Sequence, residues 1–144
     1  MQICRLLDAP QHVDTFARWV WEEWAEVSNV SLDVTRERLV DHRDCPPTLI
    51  ATESDEPLGV LSFRRFQRAL SEPASLFIDA LFVRAELRGR GIGTALLQQA
   101  ITEAKTFAPS VFVFTDQRDW YEKRGWSSTV AKTVGDPVVL VRQT

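Results

Sequence analysis

The sequence predicts an α/β (α+β) fold, a mixed and mostly antiparallel sheet with helices packed on it, and three observations predict it. Residues Ser75 to Thr115 read as strand, tight turn, helix and strand, and a crossover of that kind joins parallel neighbours. Upstream, the apolar runs Thr48 to Thr52 and Leu58 to Phe66 flank the turn Glu53 to Pro57 and read as an antiparallel hairpin. The length, 144 residues at 44% hydrophobic, suits one domain over residues 1–144 with a substantial core. The order expected is β-α-α-β-β-β-α-β-α-β-β.

Gln2 to Leu7 alternates loosely before Asp8, Ala9 and Pro10, which predicts a short strand ending in a helix start. From Pro10 to Val27 the period is helical. Val13, Phe16, Ala17, Val20, Trp24 and Val27 fall within about 60° of one direction, and Trp19 and Trp21 lie at the margins of that stripe. Asp33 to Arg43 forms a second helix, stopped by Pro46 and Pro47. In the hairpin that follows, Gly59 marks a bulge or a close approach. A polar loop, Gln67 to Pro73, leads to the central strand at Ser75. The helix after it holds Gly91, Gly93 and Thr94 in its first turn, and Val111 to Thr115 is the second strand of the parallel pair. Asp119 can cap a short helix that Gly125 ends in a left-handed conformation. Strands Trp126 to Lys132 and Val138 to Arg142 then close the chain around the turn Gly135, Asp136, Pro137.

The turn between the central strand and helix has the makings of an anion site. The first amides of a helix lack partners within it and its N-terminus carries roughly half a positive charge, so phosphate oxygens satisfy both deficits. Gly89, Gly91 and Gly93 let a phosphate approach the backbone, while Arg84, Arg88 and Arg90 add charge. This is not a P-loop, because Gly93 is followed by Thr94 and Ala95 with no lysine. Nor is it a dinucleotide fingerprint, since the glycines run G-x-G-x-G and no acidic ribose anchor is evident.

What fits is R-x-x-G-x-G, Arg88, Gly91 and Gly93, after the strand end Leu81, Phe82, Val83. This resembles the pyrophosphate-binding motif of the GNAT superfamily of N-acetyltransferases, and the order of elements is similar to that fold from end to end. The resemblance implies acetyl-CoA as cosubstrate, with its diphosphate on Arg88, Gly89, Arg90, Gly91, Ile92, Gly93 and Thr94. It implies a splay at the parallel pair, where the pantetheine arm bonds the main chain of Leu81, Phe82 and Val83. It also allows Trp19 or Trp21 as an aromatic wall of the acceptor pocket, because the first two helices flank the acceptor in that family.

Tyr121, the chain's single tyrosine, stands in a W-Y-x-x-x-G-W setting. In many GNAT enzymes a tyrosine in the similar position hydrogen-bonds the coenzyme sulfur and protonates the departing thiolate, and the alternative is a tyrosine that only packs its helix. A phenol of pKa about 10 facing a thiol near 8.5 suits that exchange. The acceptor amine must also lose a proton, which at pH 7 costs about 4–5 kcal/mol for a lysine-like amine and about 1 for an α-amine. Asp79, just ahead of the coenzyme-binding segment, is the leading base. A solvent-facing or arginine-paired carboxylate is its other reading, with Glu72, Asp116 or a water relay in its place. Cys4 and Cys45 lie outside the segments expected at the thioester, which favours direct transfer in a ternary complex over an acetyl-cysteine.

Charges of both signs are spread along the chain, for a net charge of −3, which argues against a nucleic-acid surface. The uncharged runs are too short for a membrane span and the N-terminus lacks a signal peptide's apolar core, so a cytoplasmic protein without membrane association is expected. Cys4, Cys45, His12 and His42 are isolated, which predicts free thiols, solvated histidines and no metal. A homodimer through β-edge or helix packing is open to the chain. The reading is an acetyl-CoA-dependent N-acetyltransferase of a small-molecule or peptide amine. A non-catalytic acyl-CoA sensor is the alternative, and a different phosphate ligand the third.

Overall fold

Side chains alternate across a strand, so an apolar strand must be covered on both faces. In the computed structural model, which describes residues 1–42, 44–67, 70–129 and 138–144, helices supply that cover. The strands are β1 Gln2–Arg5, β2 Leu49–Glu53, β3 Glu56–Phe66, β4 Ser75–Val83, β5 Ser110–Thr115, β6 Ser127–Ser128 and β7 Val138–Gln143, in the sheet order β1-β2-β3-β4-β5-β7-β6. Helices α1, Val13–Ser28, and α2, Leu32–Val40, lie on one face with α3, Ile92–Ala104, and α4, Arg118–Glu122, on the other. On the α3 side Phe63, Leu76, Ile78, Val111 and Val113 pack with Leu96, Leu97 and Ala100. On the α1 side Ile50 and Val60 pack with Phe16, Ala17 and Leu39.

Every pairing is antiparallel except β4 with β5, as predicted. That parallel pair is short. Its register holds only at Phe77 opposite Phe112 and Ile78 opposite Val113, and beyond them pairing stops. At the same level β4 carries a bulge. Ser62 of β3 opposes Ala80 while Phe63 opposes Ile78, so Asp79 is an extra residue with no partner across.

Several expectations are corrected. The first strand ends at Arg5, and Leu6–Asp8 and Pro10–His12 are 3-10 turns before α1 begins. The α1 stripe is buried at Val13, Phe16 and Ala17, but Val27 is 80% exposed where the chain turns off at a left-handed Asn29. His12, expected in solvent, is buried, because the start of α1 folds onto the β2–β3 turn and its Nε2 meets Asp55 Oδ1 at 2.9 Å. The second helix runs only to Val40, with Ser31 Oγ accepting from Val34 N at 3.1 Å as its cap. Helix α4 has Gln117, not Asp119, at its N-cap, with no side-chain cap; Asp119 lies in its first turn, its C-cap is Lys123, and Gly125 takes the expected left-handed conformation, φ +90°, in the turn beyond. The turn Gly135 to Pro137, the end of the predicted strand Trp126 to Lys132, and part of the loop Gln67 to Pro73 fall outside the described residues. Among the described residues no helix is long and apolar enough to cross a membrane.

Candidate active site

The β4–α3 turn is built by backbone freedom at two glycines. Gly89 and Gly91 adopt φ +81° and +84°, and a Cβ on either would meet nothing within 4 Å. The surface over the turn is therefore open. Gly91 is the N-cap of α3 and no side chain caps the helix. Among the described residues the amides of Ile92, Gly93 and Thr94 have no hydrogen-bond partner, while Ala95 N donates to Gly91 O at 3.0 Å. Three unpaired donors and the positive end of α3 converge there. Arg88 is less mobile than expected, since its Nε donates to Val83 O at 3.0 Å and its guanidinium lies 5.6 Å from the Phe82 ring centre. Arg90 is exposed beside the turn.

Main-chain direction sorts the three residues at the end of β4. Arg84 N donates to Leu58 O at 3.2 Å, and Phe82 O lies only 3.1 Å from where a Cβ on Gly59 would stand. Bonded and non-bonded residues alternate in an antiparallel pair, so Phe82 turns its main chain to β3 while Leu81 and Val83 turn theirs to the β5 side. Phe82 contributes its ring instead, which meets Trp19 and Trp24 of α1. Trp19 also takes Arg84 over its ring and lines a recess of about 510 Å³ with Glu22, Glu23 and Glu86. Trp21 braces the α1–α2 connection, donating from Nε1 to Val30 O at 3.0 Å.

Asp79 stands at the bulge where β4 and β5 part. Its side chain is reached by solvent but hemmed by protein on its other sides, and that loss of water raises its carboxyl above the ordinary range. Arg64 of β3 and Arg38 of α2 pull it back down. Neither guanidinium has a hydrogen bond or ion pair among the described residues.

Tyr121 packs on the α3 side, 6% exposed, between Trp120 and Trp126 at ring separations of 4.9 and 5.4 Å. Burial pushes its phenol up to about 12. Its hydroxyl has no hydrogen-bond partner among the described residues and is not one of the buried unpartnered atoms, so it opens to solvent. Arg124, and the part Trp120 plays in holding it, are not legible in the W-Y-x-x-x-G-W run itself. Arg124 donates from Nε to Thr94 Oγ1 at 2.8 Å and from an η nitrogen to Trp120 O at 2.7 Å, with its guanidinium 3.9 Å from the Trp120 ring centre. It joins the helix bearing the phenol to the first turn of α3. The four-residue spacing of Trp120 on α4 and Arg124 in the turn just past its end was the available signal. Burial raises both thiols, Cys4 and Cys45, above the usual range. Among the described residues no cluster could hold a metal.

The profile described as Acetyltransferase (GNAT) family matches residues 13–126. No curated protein sequence matches the chain. Among solved structures, a ribosomal-protein-alanine N-acetyltransferase from Brucella melitensis superposes with TM-score 0.77 at 18% identity over 100% of each chain. An aminoglycoside 6'-acetyltransferase type Ii gives 0.76 at 18% identity over 99% of this chain and 97% of its own. An aminoglycoside 6'-N-acetyltransferase complexed with coenzyme A gives 0.75 at 15% identity, with the same coverage of 99% and 97%. At such identities the likeness is one of fold.

Proposed function

The chain belongs to the GNAT acetyltransferase family, and from that membership we propose that it is an N-acetyltransferase moving an acetyl group from acetyl-CoA to a primary amine by direct transfer in a ternary complex. The observation that carries this reading is the set of unpaired amides at Ile92, Gly93 and Thr94 under an open glycine turn, beside a strand pair that parts at Asp79. The arrangement suits a phosphate group followed by a long, narrow arm.

In this reading the turn Gly89 to Thr94 holds the diphosphate, with Arg90 and the terminal amino groups of Arg88 adding charge. Leu81 and Val83 pair with the pantetheine through their main chains, and Phe82 fixes that edge through its ring. Bound acetyl-CoA supplies an acyl group activated by a thiolate leaving group. The Leu81 amide faces the developing oxyanion, and Asp79 accepts the amine proton directly or through water. Tyr121 donates a hydrogen bond to the developing thiolate. With a phenol near 12 and a thiol near 8.5, outright proton transfer would run uphill by about 5 kcal/mol, so hydrogen-bond donation is the role that burial favours. The raised cysteine thiols make poor nucleophiles at neutral pH, in keeping with direct transfer.

Given acetyl-CoA and a panel of primary amines, the purified protein is expected to release free CoA. Tyr121→Phe should slow that release at least about tenfold while CoA still raises the melting temperature. Unchanged turnover in this variant would remove the phenol from the mechanism. CoA binding without turnover for any amine would leave an acyl-CoA sensor.

A further inference from the structure

The face of the sheet that carries α1 and α2 has an apolar feature apart from the glycine turn. Val111 and Val113 of β5 and Leu76 and Ile78 of β4 are buried toward α3, so alternation turns Phe112, Phe114 and Phe77 the other way. Phe66 of β3 joins them. Its ring meets Phe77 at 5.4 Å edge-on, and Phe77 stacks on Phe112 at 5.4 Å with planes 28° apart. Three rings thus run across β3, β4 and β5, with Phe77 at their centre only 6% exposed. Phe114 extends the row along β5 and is 66% exposed, and Phe66 is 39% exposed. Asp79 lies two residues beyond Phe77, at the bulge, where the charges of Arg64 of β3 and Arg38 of α2 act on its carboxyl.

Two exposed phenyl rings are not needed to hold the sheet together, because the α3 side already buries both strands. Helix α1 lies over β3 and β4, and Leu39 of α2 packs with Ile50 of β2 and Val60 of β3. The rings adjoin the bulge where β4 and β5 part, so they offer an apolar surface to a molecule approaching Asp79 from this side. Their chemistry selects it. A phenyl ring gains from contact with an apolar or aromatic body and from a nearby ammonium, and it offers no hydrogen-bond partner to a ring of hydroxyls. Arg64, stacked 4.7 Å over Phe66, flanks the row and leaves Asp79 as its acidic end.

We propose that the acceptor is a primary amine on an aryl or similarly apolar body, laid against Phe114 at the exposed end of the row with its nitrogen at Asp79. The inference rests on the acetyltransferase reading above. It sets this chain apart from the aminoglycoside enzymes whose fold it shares, since an aminoglycoside is a polyhydroxylated polyamine.

The test compares acetyl-CoA-dependent acylation of 2-phenylethylamine with that of ethanolamine, of similar basicity, and of kanamycin. The aryl amine is expected to give kcat/KM at least about 100-fold above either. Phe114→Ser, an exposed change that spares the core, should raise KM for 2-phenylethylamine about tenfold and leave KM for acetyl-CoA within about twofold. Turnover of ethanolamine or kanamycin at the same efficiency, or a Phe114→Ser enzyme with unchanged KM for the aryl amine, overturns the acceptor class while the acetyltransferase reading stands. A Phe114→Ser change that splits a dimer without moving that KM assigns the row to a second copy and equally overturns it. No turnover of any amine, with CoA still bound, defeats the acetyltransferase reading and the inference together.

Discussion

Tyr121 and Asp79 are asked to handle protons from opposite kinds of surroundings. The tyrosine ring is sealed between two tryptophans and held fully protonated at neutral pH, which suits a donor and forbids a base. Asp79 is open on one side, flanked by two guanidiniums, and still raised above the ordinary carboxyl. A raised carboxyl binds its proton more tightly in the folded chain, so its contribution to stability is full below the ordinary carboxyl pKa and lost as pH rises through the folded value. Asp79→Asn is therefore expected to melt higher than the parent at pH 7 and to release CoA at least about tenfold more slowly. Thermal melts and steady-state rates on the same preparation check both. Parental activity in that variant would assign proton removal to water and leave Asp79 a solvent-facing carboxylate.

At the scale of elements, two short pieces carry the site and neither is stable by itself. Helix α4 is five residues long, too short to hold its phenol without tertiary ties. Arg124 supplies such ties through Thr94 Oγ1, Trp120 O and the Trp120 ring. Arg124→Gln should lower stability by about 1–3 kcal/mol in denaturant melts; a change below about 0.5 would show that aromatic packing alone seats α4. In the β4–α3 turn, Gly91→Ala meets no atom but must hold φ +84°, so a cost of about 1–2 kcal/mol is expected from the backbone. Its methyl would also stand over the open turn. CoA affinity should fall at least about tenfold by calorimetry, whereas equal affinity would move the diphosphate elsewhere.

At the scale of the molecule, the order of elements along the chain and the parallel pair were legible because hydrophobic alternation and a glycine-rich helix start are local signals. The Asp79 bulge was not, since nothing in IDALFV says which residue lacks a partner; that is decided by the register of β3. His12 was misread for a related reason, its partner Asp55 being 43 residues away on a turn. The aromatic row went unseen because its members come from three strands and meet only after the sheet forms. The open turn at the head of α3 orders the rest. If it is a coenzyme site, CoA at 100 times its dissociation constant adds about 2.7 kcal/mol to stability, roughly 5–10 °C for a chain of this size, and ATP or NAD adds none. The most direct measurement is the calorimetric affinity of CoA against that of pantetheine, which has the thiol arm and no diphosphate. The unpaired amides of Ile92, Gly93 and Thr94 predict a loss of at least about 100-fold for pantetheine, and equal affinity for the two would contradict a diphosphate grip at this turn.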